Sequence, residues 1–436
     1  MLDFLVVKDR KTRSGVEVYP DFVVGRSSDL MIRGGAFYAI WDSEKGLWST
    51  DEYDVQRLVD KEIREYTDKI SSKIVDSMIF PKYMAAFSST SWSQFKLFVT
   101  KLSDQYKQLD DTIVFSNTPI QKGDYVSRVL PYPLEAGPTP AFDKLFGTLY
   151  DEENLTKLMW AIGSVVSGAS KYVQKFYVLF GAPGTGKSTA LNLIQNLFED
   201  YYTTFEAKTI TNGTSNFSTE MFRGNPLVGI NHEGDLSKIR DNSVLNSIVA
   251  HDKITMSVKY ERSYSLRINT ALFVATNKPV NITDAKSGLI RRLIDIRPTG
   301  ALVSPEDYDI LVSQMQFELG AIAHKCLTLF ESLGKSYYNR YKPVDMMLRT
   351  NIFFNFVEDN YFEFSKEDYI TLSRAWKVYK EWCESTNAVY TMQKHIFRDE
   401  FRQYWDEFHK VKRIEDTVYR SVYTGFNTSS DLTLFP

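Results

Sequence analysis

A chain of 436 residues that is 43% apolar and 25% charged holds enough material for two or three domains with proper cores, which excludes a disordered or low-complexity protein. Cys326 and Cys383 are too few for a disulfide framework or a zinc site and are expected as small core residues in a reducing cytoplasm; the start MLDFLVVKDRKTRSG has neither a signal-peptide core nor a membrane span, so a soluble cytoplasmic protein is expected. The formal charge of −3 speaks against a broad grip on nucleic acid but leaves room for a local basic loop.

In chain order, MIRGGAFYAIWDSEKGLWST alternates apolar and polar residues around Gly34, Gly35 and Gly46 and predicts a small sheet. A helical period follows from Asp51 to about Ile79, with Val55, Leu58, Val59, Ile63 and Tyr66 on one face, and a second helix is expected from Trp92 to Tyr106. SNTPIQKGDYVSRVLPYPLEAGPTPAF is rich in proline and glycine and reads as an extended linker or wrapping arm, with a domain boundary near Gly137. Asp143 to Ser167 is helical in pattern. The apolar strand Phe176 to Phe180 then leads through GAPGTGKST into the helix-like ALNLIQNLFED.

Further on, LVGI predicts a strand ending at Asn231, LSKIRDNSVLNSIVA a helix, ITMSVKYERSYSLRI two strands around a charged turn, and ALFVAT a strand ending before Asn277. Strands and helices alternating around one phosphate loop predict an α/β fold with a parallel sheet. Beyond Pro298 helices are expected over Pro305 to Leu333, Val344 to Asn360, Lys366 to Cys383 and Met392 to Phe408, followed by a hairpin in KRIEDTVYRSVYTGF. That order fits a winged-helix module, or a plain helical cap. Three domains follow: a small α+β domain over 1–136, a motor over 137–300 and a helical module over 301–436.

The loop carries the chemistry. Gly181, Gly184 and Gly186 let the backbone of Gly181, Ala182, Pro183, Gly184, Thr185 and Gly186 turn tightly enough to aim N–H groups and a helix N-terminus at phosphates. Lys187 supplies a cation for the terminal phosphates, the Ser188 hydroxyl a ligand for Mg²⁺, and Thr189 packs locally. ATP and Mg²⁺ are the expected ligands. Glu233 ends the second strand, where a carboxylate holds a Mg²⁺-bound water or orients the attacking one, with Asp235 as its understudy. Asn277 ends the third strand, where an amide both donates to the γ-phosphate and accepts from water. Arg291 and Arg292 follow, one of them suited to stabilising charge in a neighbouring subunit's nucleotide, or to bridging an acid such as Asp295. Lys259, Tyr260 and Arg262 combine cations with an aromatic in the hairpin turn, a set suited to phosphate contact and base stacking, or simply a solvated turn.

Taken together, GAPGTGKST, INHEGD, SVKYERSY, FVATN and GLIRRLIDI resemble superfamily 3 helicases of the phage, plasmid and poxvirus primase-helicase type. FYAIWDSEKGLWST and AFDKLFGTLYDEENLTKLMWAIGSVVSG resemble the region before that family's motor, and SRAWKVYKEWCESTNA the start of its C-terminal module. The resemblance implies an AAA+-like hexameric ring that moves 3′ to 5′ on single-stranded DNA and unwinds forked duplex, with a separate primase, polymerase or loader as partner and no membrane. It puts nucleotide binding on Lys187 and Ser188, the metal-linked acid on Glu233, the sensor on Asn277, the trans finger on Arg291 or Arg292 and DNA contact on Lys259. Two departures stand out: Asn246 occupies a position where the family favours lysine, and a histidine rather than a second acid precedes Glu233.

With no paired-aspartate or zinc-ribbon signature in about 140 residues ahead of the motor, a helicase lacking its own primase is expected. The competing classes are a duplex translocase of the packaging kind, an ATP-regulated initiator that grips an origin through its C-terminal module, and, more distantly, a small-molecule kinase.

Overall fold

The computed structural model describes residues 1–436 apart from 14, 34–35, 72–80, 84–88, 103–108, 110–112, 212–219, 223, 225, 237–241, 257–263, 281–287, 345, 347–351, 387–391 and 427–436. Its contacts divide it into two compact units, Met1–Glu135 and Ala136–Pro436. Among the described residues no helix is long and apolar enough to cross a membrane.

In the first unit, β1 (Leu5–Thr12), β2 (Gly15–Phe22), β3 (Leu30–Arg33), β4 (Ala36–Asp42) and β5 (Leu47–Ser49) precede α1 (Glu52–Ser71), β6 (Pro81–Tyr83) and α2 (Ser89–Lys101). They make two small sheets, β1-β2-β6 and β3-β4-β5. The apolar face of α1 expected from the sequence is the one that is used: Val55, Leu58, Val59 and Ile63 are buried with Phe4, Val18, Ile40, Phe95 and Phe98. The proline-rich arm is packed rather than free. The indole of Trp48 donates to the Lys122 carbonyl at 2.9 Å, and the short strands β7 (Val114–Phe115) and β8 (Val129–Leu130) pair in parallel.

The second unit opens with two helices where one was expected, α3 (Pro140–Leu149) and α4 (Glu152–Val166). The cause is local: Asp151 has extended backbone, and its carboxylate accepts from Asn154 N at 2.8 Å, so it caps a new helix instead of continuing the old one. There follow β9 (Phe176–Phe180), α5 (Lys187–Leu197), β10 (Tyr202–Thr204), α6 (Ala207–Thr211), β11 (Val228–Asn231), α7 (Ser243–Val249), β12 (Lys253–Met256), β13 (Tyr264–Arg267), β14 (Ala271–Thr276) and β15 (Leu293–Ile296). Five of these strands form an all-parallel sheet in the order β10-β11-β14-β9-β15. β9, β11, β14 and β15 are buried at every position, as the continuous apolar runs of a two-sided parallel sheet require.

The expected helix from Pro305 to Leu333 is likewise two, α8 (Pro305–Met315) and α9 (Leu319–Leu333). α9 lies so close to α4 that a Cβ on Gly163 would stand 2.2 Å from the Cys326 carbonyl oxygen. Burial pushes the Cys326 thiol up to about 12, so it behaves as the expected apolar filler.

At the C-terminal end two expected helices are shortened by strands. Tyr369–Thr371 is a strand before the helix Leu372–Ser385, which Thr371 caps, and the helix from Lys394 ends at Phe401. The hairpin starts at Trp405, earlier than expected, and pairs Trp405–Ile414 with Thr417–Phe426. The residues taken for a last helical turn alternate as strand because Trp405 and Tyr423 close an aromatic cluster with Phe364, Phe401 and Phe426, a non-local gain that local period cannot register.

Candidate nucleotide site

The parallel order places the ends of β9, β14 and β11 side by side along one edge of the sheet. The loop Gly181–Gly186 leaves the end of β9, and Gly181 N donates to the Thr276 carbonyl of β14 at 3.3 Å. Gly184 and Gly186 have φ of +77° and +100°, a region side chains disfavour, and a Cβ on Gly186 would meet Leu149 at 2.9 Å. Tyr150 closes the back of the loop, its hydroxyl donating to the Gly186 carbonyl at 3.2 Å. A glycine therefore also caps α5, with no side-chain bond and no acidic residue in the first turn. The first N–H groups of that helix have no helical acceptor, which is the donor array a phosphate needs.

Lys187 is 8% exposed and its ammonium bridges the loop, donating to the carbonyls of Gly181 at 2.8 Å and Ala182 at 2.6 Å. Burial lowers its pKa, and a negative ligand beside it would offset that by favouring the charged form. Ala182, Pro183, Gly184 and Ser188 are exposed. Thr189 is buried and its hydroxyl contacts that of Tyr308, 119 residues further on, at 3.0 Å.

Glu233 is exposed just past β11, while Asp235 is paired with Lys278 at 3.0 Å. The intervening Gly234 anchors the turn: its N–H donates to the Ala275 carbonyl at 2.7 Å, and a Cβ there would lie 2.3 Å from Val274 Cγ1. Asn277 is exposed at the end of β14, between the loop and the acid. Among the described residues no cluster of three or more His, Cys, Asp and Glu side chains forms a metal cage. Mg²⁺ asks for less, because it commonly takes one or two protein ligands, with waters and substrate phosphates supplying the rest. The Ser188 hydroxyl and the Glu233 carboxylate fit that demand. When bound, the ion would neutralise phosphate charge.

Arg291 and Arg292 lie at the other edge of the sheet, ahead of β15, whose Leu293 pairs with Phe176 at the start of β9. The length of β9 separates them from their own loop, on the order of 15 Å at about 3.3 Å per residue. They also differ from each other. Arg291 is exposed; Arg292 is 8% exposed and donates from Nη1 to the Gly288 carbonyl at 3.0 Å and to Asn246 Oδ1 at 3.4 Å. Neither bridges Asp295, which was a candidate partner: Asp295 pairs with Arg297 at 2.7 Å and accepts from the Tyr341 hydroxyl. Lys259, Tyr260 and Arg262 lie outside the described residues, although β12 and β13, which flank them, pair from Lys253↔Arg267 to Met256↔Tyr264.

Sequence reasoning passed over Lys175, a lysine buried immediately before β9, and the Arg297–Pro298 step, whose guanidinium stands 5.7 Å from the Phe180 ring and whose proline packs on Gly181. A lone lysine against an all-apolar strand was the available signal for the first. The second had none, because its partners are over 100 residues away in sequence.

Residues 351–433 match the family described as poxvirus D5 protein-like. Residues 179–292, running from β9 through Arg292, match a family of unknown function, DUF5906. No curated protein matches the chain. Among solved structures it is similar to the apo structure of the NrS-1 C-terminal region, with 13% identity, a TM-score of 0.46 and coverage of 91% of this chain and 96% of that one. It is also similar to the A form of that region, with 13% identity, a TM-score of 0.43 and coverage of 97% and 95%. The C-terminal segment is thus similar to D5-type proteins, within a mixed α/β chain built on a five-stranded parallel sheet.

Proposed function

We propose that this protein is an ATP-driven DNA helicase of the superfamily 3, AAA+-like kind, assembled as a ring, most simply a hexamer, and serving replication of a phage or virus-like genome. One observation carries the proposal: the phosphate loop, Glu233 and Asn277 share one sheet edge, while the exposed Arg291 stands at the opposite edge, out of reach of its own loop. Such an arginine has a use in hydrolysis only if a neighbouring copy presents its loop to it. A monomeric kinase has no use for that layout.

In this reading Lys187, released from the Gly181 and Ala182 carbonyls, binds the terminal phosphates; Glu233 orients the attacking water; Asn277 reports on the γ-phosphate; Arg291 of one subunit serves the next. Arg292 supports the turn. The β12–β13 hairpin presents Lys259, Tyr260 and Arg262 to single-stranded DNA, and the 3′ to 5′ direction rests on the family resemblance. A primase, polymerase or loader is a separate partner.

The match to the poxvirus D5 protein-like family over residues 351–433 supports the replicative setting. One feature favours a second reading, an initiator that grips duplex: short helices alternate with the antiparallel sheet in which Thr417–Phe426 lies between Tyr369–Thr371 and Trp405–Ile414, an arrangement of winged-helix type. Strand separation on forked DNA with ATP and Mg²⁺, run beside Lys187→Ala, decides between them. Unwinding that disappears in the variant is the expected result. Tight duplex binding with slow hydrolysis and no unwinding would move the assignment to the initiator.

A further inference from the structure

We infer that Lys175 is a positioning residue for Arg291: with Arg292 it clamps the turn from Gly288 to Arg292 so that the exposed guanidinium is held out toward a neighbouring copy. This rests on the reading of Arg291 as the trans finger. Lys175 is 7% exposed, and its ammonium donates to the Arg291 carbonyl at 2.5 Å. Among the described residues no carboxylate lies within ion-pair distance of it. Arg292 holds the other end of the turn through the Gly288 carbonyl, and the fit is tight enough that a Cβ on Gly288 would stand 2.7 Å from Nη1.

Two buried cations thus bind two carbonyls of a single turn, a costly arrangement that an apolar pair of similar volume would outdo on stability alone. The charged groups around them are Arg291, Arg292 and, facing Arg292, Asp252. Desolvation, with the Arg292 guanidinium nearby, brings Lys175 down to about 8. Among the described residues no ion pair is formed by Arg291, which is exposed and so stands available to an anion. The clamp also keys Arg291 to β9, the strand that ends in the subunit's own phosphate loop, and so joins the two edges of the sheet through one rigid element.

The test is a double-mutant cycle on steady-state ATP hydrolysis by the assembled full chain, with Lys175→Met, Lys175→Arg, Arg291→Ala and the double variant Lys175→Met/Arg291→Ala. Lys175→Met is expected to lower kcat by about 10- to 100-fold, part of what a finger supplies, with KM for ATP within about twofold of wild type. Its thermal midpoint should be no lower than wild type, because a buried charge has been removed. Lys175→Arg, which keeps a charged donor, should recover most of kcat, and the double variant should be no slower than Arg291→Ala alone.

An active Lys175→Met beside a crippled Arg291→Ala overturns the clamp and leaves the finger standing. So does a double variant whose loss is the product of the two single losses, or a Lys175→Met that melts below wild type and is not rescued by arginine. A fully active Arg291→Ala overturns the finger and the clamp together.

Discussion

The two edges of the parallel sheet solve opposite problems. At the loop edge the groups on offer are mostly backbone, freed by Gly184 and Gly186 at positive φ and by Gly181 and Gly234 at close approach, with short exposed side chains between them. At the far edge one exposed arginine is presented by a turn held through two buried cations. The difference matches the tasks proposed for the two edges. A phosphate is enclosed best by preorganised N–H groups at a helix N-terminus, which local sequence can build. An arginine that must cross to another molecule needs a long side chain on a fixed base, and that base is made by residues distant in sequence.

The comparison breaks most completely at Lys187. Lys187→Ala should reduce phosphate release to background while leaving the melting transition in place, and retained turnover would sink the assignment of the loop edge. Next in size, Arg291→Ala should slow hydrolysis by about 10³-fold or more in the assembled protein. Mixing it with Lys187→Ala should restore part of the activity, because an interface can then pair an intact loop with an intact arginine. No recovery in the mixture counts against action between subunits.

A smaller effect is expected at Gly234, where the Cβ of Gly234→Ala would overlap Val274 and shift the turn that carries Glu233. About 1–3 kcal/mol of lost stability is expected for such overpacking, read as a lower denaturation midpoint, together with a drop in kcat on the order of tenfold. An unchanged kcat would mean that the acid is not positioned by this turn.

An effect on stability alone, with no loss of turnover, is expected in the pH dependence and sharpens the other edge. Lys175 titrates near 10.5 when unfolded and about 8 when folded, so between those values the unfolded chain holds a proton that the folded chain has lost. Stability therefore rises with pH through that window. Relative to Lys175→Met, which cannot titrate, wild type should gain about 3 kcal/mol between pH 8 and pH 10.5. Parallel pH profiles for the two proteins would show that Lys175 is not desolvated in solution.

How far the chain could be read from its residues follows the range of the interactions. The phosphate loop, the strands ending at Asn231 and before Asn277 and the amphipathic face of α1 are set by neighbours within a few residues, through glycine freedom, apolar runs and the helical period. Where reading went astray, a capping or a long-range contact intervened. Asp151 divided one expected helix in two by capping Asn154, and Trp405 drew an expected helical tail into a strand against Tyr423 and Phe426.

By itself the sequence determined the chemistry on offer: a glycine-rich cradle with Lys187 and Ser188, an acid and an amide at strand ends, and a pair of arginines downstream. Tertiary structure alone decided where each group stands. It left Glu233 exposed and tied Asp235 to Lys278, separated the exposed Arg291 from the buried Arg292, assigned Asp295 to Arg297 and brought Lys175 to the Arg291 carbonyl. The reason is physical. Burial and partnership of a charged side chain depend on which strands lie beside it, and strand order is a property of the whole sheet that no local run of residues encodes.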